Sequence, residues 1–186
     1  MAFWTTSESA PKRKFRFGVE FTGFSNANIW WAKSVTKPNF EIGAAEHKYL
    51  NHTFWFPGNV TWGDVTLTFV DPAGGTEGVD AMGELLEIIA AYKYELPTTS
   101  FASDAATPPT ISKANAVAAT QKVVISQVNS EGVAVEKWTL HNAWVSKVDG
   151  GELSYGEEGL SEIAVTLKYD WASCDTSDGK SFLPLK

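Results

Sequence analysis

Glu162-Ile163-Ala164-Val165-Thr166-Leu167-Lys168-Tyr169-Asp170 is the cleanest alternation in the chain. Successive side chains of an extended chain point to opposite faces. Ile163, Val165, Leu167 and Tyr169 therefore share one face, and Glu162, Ala164, Thr166, Lys168 and Asp170 share the other. That is the pattern of a half-buried β-strand, and it recurs on the N-terminal side. Phe15, Phe17, Val19 and Phe21 alternate with polar or small residues. Val65, Leu67 and Phe69 share a face of a strand read over Val60 to Val70, with Thr66 and Thr68 opposite. Gln121 to Val128 and Val133 to Val145 flank Asn129-Ser130-Glu131-Gly132, a hairpin turn with glycine at its end. In the second of these runs Trp138, Leu140, Asn142 and Trp144 fall on one face. Ile29 to Val35, with Trp30 and Trp31, reads as a further strand.

One segment has the helical period instead. Over Asp80 to Lys93, Met82, Leu85, Leu86, Ile89 and Tyr92 form an apolar stripe, and Asp80 is placed to cap. Gly83 inside it costs about 1 kcal/mol relative to Ala, so this helix depends on packing. Residues 96–115 are rich in Pro, Thr, Ser and Ala and read as a long loop, with a short helical turn near Ser112 to Ala119. Segment 41–58 has no consistently apolar face, which suits a protruding arm, and Pro57-Gly58 reads as the turn that closes it. Residues 1–13 read as a loose arm. Residues 173–186 read as a tail whose Phe182-Leu183-Pro184-Leu185 end would dock on a neighbour. Strands, one helix, then strands, without an internal repeat, predict a single, mainly β domain over 1–186. Its architecture would be an antiparallel sandwich or barrel with one flanking α-helix and protruding loops.

Composition narrows the function. The chain has 186 residues, 44% of them hydrophobic and 20% charged, as in ordinary globular proteins. Eight Trp and eleven Phe point to pleated surfaces and contact surfaces. A net charge of −7 argues against gripping nucleic acid by phosphate neutralisation, though not against DNA sliding past. A single cysteine, Cys174, excludes an intrachain disulfide and fits assembly in a reducing cytoplasm. The N-terminal residues lack the layout of a signal peptide, and the apolar stretch within Leu85 to Tyr92 is too short to span a membrane.

Signals for chemistry are sparse. His47 and His52 lie five residues apart near Glu46, without further metal-ligand spacing, and His141 has no visible catalytic partner. No nucleophile elbow, phosphate-binding loop or HExxH run occurs. Gly74 to Gly78 contains no Lys and precedes acidic Asp80, which repels phosphate. Glu157 and Glu158 are adjacent and would point apart. Asp170, Asp175 and Asp178 surround Cys174 in sequence and discourage a thiolate. No catalytic, metal-binding or cofactor-binding residue is assigned, and no cofactor is expected. The rival to a structural role is a carbohydrate-binding β-sandwich, in which Trp30, Trp31, Trp55, Trp62, Trp138 and Trp144 would form a sugar platform. Such modules usually act outside the cell, and no export signal is seen.

Three segments resemble the major tail tube proteins of contractile-tailed phages. Phe56-Pro57-Gly58 followed by Thr61-Trp62-Gly63-Asp64-Val65-Thr66-Leu67-Thr68-Phe69 resembles the family's Pro-Gly turn, Trp and strand. Trp138-Thr139-Leu140-His141-Asn142-Ala143-Trp144 is similar to its strand ending in Asn-Ala-Trp, and Glu162 to Asp170 to its closing strand. The resemblance spans roughly residues 14 to 172. The chain departs from the family pattern at Val70-Asp71, where an Arg-Gly pair is frequent, and at Val145, where many members have Pro. The resemblance implies hexameric rings stacked into an inner tail tube, a conduit for genome delivery in a virion, made and assembled in the host cytoplasm. Implied partners are further copies of the chain, the contractile sheath protein, the baseplate tube initiator, the tape measure protein and the tail terminator. Phage DNA would pass without specific binding, and no membrane anchor is implied. The same fold serves tailocins, extracellular injection systems and type VI secretion tubes. Within this frame His47, Tyr49, Phe54 and Trp55 are candidates for ring-to-ring contact. Glu162, Thr166, Lys168 and Asp170 are candidates for the lumen or its rim. Trp62, Trp138, Asn142 and Trp144 are the core and motif positions.

Overall fold

The computed structural model describes residues 11–24, 31–72, 80–94, 110–156 and 158–183. Residues 1–10, Trp30, the Gly74 to Gly78 cluster, residues 96–109, Glu157 and Pro184-Leu185 lie outside these. The described elements are β1 (Phe17–Phe21), β2 (Ala32–Val35), β3 (Phe40–Tyr49), β4 (His52–Trp62), β5 (Val65–Val70), α1 (Ala81–Ala91) and α2 (Lys113–Thr120). They continue with β6 (Val123–Val128), β7 (Ala134–His141), β8 (Trp144–Asp149), β9 (Glu162–Lys168), β10 (Trp171–Thr176) and β11 (Ser181–Phe182). Five strands form one sheet in the order β1-β6-β7-β10-β11, four form a second in the order β2-β5-β9-β8, and β3 pairs with β4 alone. The protein is thus mainly β and antiparallel, with helices at its flank.

The alternating runs build the core. Ile163, Val165 and Leu167 of β9, Val65, Leu67 and Phe69 of β5, and Phe21 of β1 are almost fully buried. They share one apolar cluster with Ile125 and Leu140 of the five-stranded sheet and Leu85 of α1. Phe15 is exposed and precedes β1, so the first strand is shorter than the alternation predicts.

Two strands read as continuous are broken. Val133 to Val145 divides at Asn142, whose φ of 55° turns the chain from β7 into β8. Asn tolerates this left-handed region better than most residues with a Cβ. β7 pairs with β10 in the five-stranded sheet, and β8 pairs with β9 in the four-stranded one. The paths β7–β8 and β9–β10 are therefore two bent ribbons that leave one sheet for the other side by side. Val60 to Val70 divides at Gly63 and Asp64. A Cβ on Gly63 would lie 1.9 Å from Asn39 Oδ1, and Gly63 N donates to Asn39 O at 2.9 Å. Ser173 to Thr176, read as the start of a tail, lies in β10, and β11 returns to pair with it.

α1 is capped by Asp80, whose Oδ1 accepts from Gly83 N at 2.9 Å. Its buried side is Ala81, Leu85, Ile88 and Tyr92, while Leu86, counted in the stripe, is 57% exposed. One flanking helix is too few: Lys113–Thr120 is a second. Ser112 Oγ accepts from Asn115 N at 3.2 Å, the Ala-rich run has high helix propensity, and Ala116 is buried in the core. Tyr92 ties both helices to the sheet. Its hydroxyl lies 2.8 Å from buried Thr120 Oγ1 and accepts from Val145 N at 2.8 Å. Among the described residues no helix is long and apolar enough to cross a membrane.

Removing the Tyr92 hydroxyl leaves a buried Val145 N–H and Thr120 hydroxyl without that partner. Tyr92→Phe is expected to lower stability by about 1–3 kcal/mol, measured as a shift in the denaturant midpoint without a change of slope.

Candidate assembly surfaces

The first surface is the β3–β4 hairpin. Its ten-residue first strand rises about 3.3 Å per residue, so the arm reaches roughly 30 Å. Its base is anchored. Phe40 stacks on Phe182 at 5.5 Å and lies 5.1 Å from Trp62, which meets Tyr169 edge-on at 5.8 Å. Beyond the base almost every residue is exposed, including Ile42, Tyr49, Leu50, Phe54, Trp55, Phe56 and Val60. The turn is Leu50-Asn51, with Leu50 at φ 52°. Pro57-Gly58 is not the turn; it sits inside β4, opposite a register shift between Ile42 and Ala44. Proline lacks an N–H, but in a two-stranded ribbon each strand is an edge, and a bulge accommodates it. A Cβ on Gly58 would lie 3.1 Å from Gly43 O, which favours glycine there.

The register sorts the candidate residues. His47 pairs with Phe54, Tyr49 with His52 and Ala45 with Phe56, so His47, Tyr49 and Phe54 lie on one face with Phe56. Trp55 pairs with Glu46 on the other. Phe56 and the tip residue Leu50 belong to the same exposed surface; with the turn at Leu50-Asn51, period-2 alternation alone puts Phe56 on the face of Phe54. An isolated two-stranded hairpin is marginal in water, and this one displays apolar side chains on both faces.

The second surface is the outward face of the four-stranded sheet. Glu162, Ala164, Thr166 and Lys168 point away from the core, beside Thr66 and Thr68 of β5. Three ion pairs lie here: Lys33 with Glu162, Lys168 Nζ with Asp64 Oδ1 at 3.0 Å, and Lys147 Nζ with Asp149 Oδ2 at 3.0 Å. Asp170 is not on this face. It lies past the end of β9, at the crossing between sheets.

That crossing holds Asn142 of the Asn-Ala-Trp run. Asn142 Nδ2 donates to Asp170 Oδ2 at 2.7 Å, and Lys113 Nζ of α2 donates to both Asp170 oxygens at 2.6 and 2.7 Å. Asp170 N donates to His141 O at 3.0 Å. The bonds from Lys113 and then Asn142 hold the Asp170 carboxyl below its ordinary range. A second charged cluster sits at Glu136, whose side chain is only 12% exposed. Burial pushes this carboxyl up, but hydrogen bonds from Lys12, Lys37 and Trp138 outweigh it and hold the pKa at about 2. Lys37 also donates to Gln127 Oε1 at 2.6 Å.

Signs of chemistry stay weak. His141 Nε2 lies 2.8 Å from Ser173 Oγ, and its ring stacks on Trp171 at 4.6 Å. Burial, aided by the charge of Lys122, holds His141 below the usual histidine range. Burial, then Glu136 and Asp175, push the Cys174 thiol up, away from a reactive thiolate. Among the described residues no group of three or more His, Cys, Asp or Glu is arranged to hold a metal ion. The tryptophans among the described residues do not form a row. Trp31 is buried, Trp62, Trp138 and Trp144 pack against the core, and Trp55 stands on the hairpin.

No protein-family model matches the chain, and no curated protein matches it in sequence. Solved structures match in fold. A chain of the PVC sheath–tube complex, an extracellular contractile injection system in its extended state, gives a TM-score of 0.65 at 17% identity over 92% of this chain and 99% of that one. A chain of the anti-feeding prophage baseplate, solved with six-fold symmetry, gives 0.61 at 16% identity over 89% and 96%. Hcp1 from Salmonella typhimurium gives 0.51 at 12% identity over 90% of each. At these identities the likeness is one of fold, and it agrees with the tail-tube-like fold that the sequence resemblance implied.

Two outcomes follow from the clusters. Asn142→Ala should destabilise by about 1–2 kcal/mol, through a left-handed Cβ and the lost bond to Asp170. Asn142→Gly should cost less, because glycine takes that φ freely; equal losses in denaturant unfolding would place the whole effect on the hydrogen bond. Glu136 has a folded pKa depressed from 4.5 to about 2. Its contribution is therefore complete above the unfolded value and lost as pH falls toward about 2. Stability measured over that window should decline less steeply in Glu136→Gln than in the parent.

Proposed function

We propose that the chain is a structural subunit of the inner tube of a contractile machine, forming hexameric rings that stack head to tail. The observation that carries this reading is the long, uncovered, aromatic β3–β4 hairpin on a tail-tube-like fold. A hairpin with apolar side chains on both faces needs a partner surface, and a second copy in the adjacent ring supplies one. His47, Tyr49, Phe54 and Trp55, with Phe56 and Leu50, are then the ring-to-ring contacts. β2 and β8 are the edges of the four-stranded sheet. Joining these edges between neighbours would continue the sheet around a ring and remove the exposed-edge liability. A head-to-tail contact with axial translation builds a filament instead of a closed dimer.

In this reading the outward face of the four-stranded sheet, with Glu162, Thr166 and Lys168, lines the lumen. Asp170 stands at the corner where that sheet ends. The sheath protein, baseplate tube initiator, tape measure protein and tail terminator are the partners, and the assembled location is a virion tail through which DNA passes. A second reading is supported by the solved structures: two of the similar chains come from the PVC system and the anti-feeding prophage. In that case the tube belongs to an extracellular injection system, and the machine differs while the subunit's role does not.

Negative-stain electron microscopy with light scattering tests the proposal. Purified protein should give six-fold rings or hollow tubes; a monomer at every concentration, unchanged when a nucleating baseplate is supplied, would overturn it. Phe54→Ser/Trp55→Ser should keep the parent's denaturant midpoint, because both residues are exposed, while tubes shorten to single rings or short stacks. Tubes of parental length from that variant would remove the hairpin from ring stacking.

A further inference from the structure

The chain as a whole is acidic, yet the face assigned to the lumen is not. Among the described residues its charged side chains are Lys33, Asp64, Lys147, Asp149, Glu162 and Lys168, and each cation is paired with a carboxylate. Three positive charges against three negative give zero, on a chain whose formal net charge is −7. Between the pairs stand the uncharged side chains Ser34, Thr66, Thr68, Ala164 and Thr166, and the register adds Val70 opposite Glu162 and Trp144 opposite Lys168. The acidic excess lies elsewhere, for instance at Glu41 and Glu46 of the hairpin and Glu84 and Glu87 of α1.

We infer that the channel of this tube carries no net charge and therefore neither holds nor repels a charged polymer passing through it. The inference rests on the reading of the four-stranded sheet as the channel wall. The physical basis is the form of the field. A lysine with a carboxylate about 3 Å away presents a short dipole, whose potential decays faster than that of a single charge. Salt screens what is left over about 8 Å at physiological ionic strength, so little reaches a polymer at the axis. A phosphate would gain little from a lysine already matched by a carboxylate, because counterion release requires an uncompensated cation. Six-fold repetition would amplify any imbalance, since one unpaired lysine per subunit would place six charges on every ring. The balance of the pairs, and not the sign of the whole chain, then sets how the channel treats its cargo. The hydroxyl and alanine surface between them offers few strong donors or acceptors to a backbone sliding by.

The test uses assembled tubes and a fluorescent single-stranded oligonucleotide at low ionic strength, read by co-sedimentation and by lumen density in cryo-electron microscopy. Parental tubes should retain no oligonucleotide and show an empty lumen. Asp64→Asn/Asp149→Asn/Glu162→Gln, which leaves three uncompensated lysines per subunit, should retain about ten-fold more, with density along the axis and release by added salt. Retention by parental tubes would overturn the inference, as would a triple variant whose lumen stays empty. Should the triple variant fail to assemble, Glu162→Gln alone carries the same expectation at smaller amplitude. A parent protein that stays monomeric even with a nucleating baseplate would instead remove the tube reading itself, which separates the two failures.

Discussion

Two strands must leave one sheet for the other at the same place, and the bonds at that crossing hold the fold in register. Asp170 accepts from Asn142 on one bent path and from Lys113 on α2, and its own N–H reaches His141 O. The clasp therefore joins β7–β8, β9–β10 and the second helix at one point. A register slip of one residue in β9 would turn Ile163, Val165 and Leu167 to solvent. Fixing the corner at Asp170 opposes that slip. Tyr92 performs a matching task inside the core, where one hydroxyl meets α2 and the backbone of β8.

The frame so fixed presents two surfaces of opposite character. The hairpin is exposed, carries apolar side chains on both faces and is anchored at its aromatic base. The outward face of the four-stranded sheet is polar, with its charges matched in pairs. Exposed ion pairs of this kind contribute little to stability, so their balance bears on the electrostatics of the surface more than on folding. In the proposed tube, an apolar arm and a polar wall would supply the two requirements of a stacked conduit: adhesion between rings and indifference toward what passes.

Much of the fold was legible because period-2 alternation reports burial directly. Phe17, Val19 and Phe21, Val65, Leu67 and Phe69, and Ile163, Val165 and Leu167 all point inward as their spacing predicts. The breaks were not legible. Asn142 and Gly63 interrupt runs whose composition is uniformly strand-like, and the reason for each is a contact distant in sequence: Asp170 for the first and Asn39 for the second. Leu86 had the spacing of a core residue, but the helix was rotated by packing toward Ile88. The second helix is legible only as a turn, because eight residues between a loop and a strand give a short periodic signal.

The sequence by itself determined the class of structure, the antiparallel strands, the capped helix and the resemblance to tail tube proteins, since these follow from local periodicity and short motifs. Only the tertiary structure decided where the strands change sheets, which face of the hairpin each aromatic occupies, and that every charge on the outer sheet face has a partner of opposite sign. Two of the three ion pairs on that face, Lys33 with Glu162 and Asp64 with Lys168, join residues more than a hundred positions apart. Such residues meet only when strand pairing brings them together; local propensity carries no information about pairing at that separation.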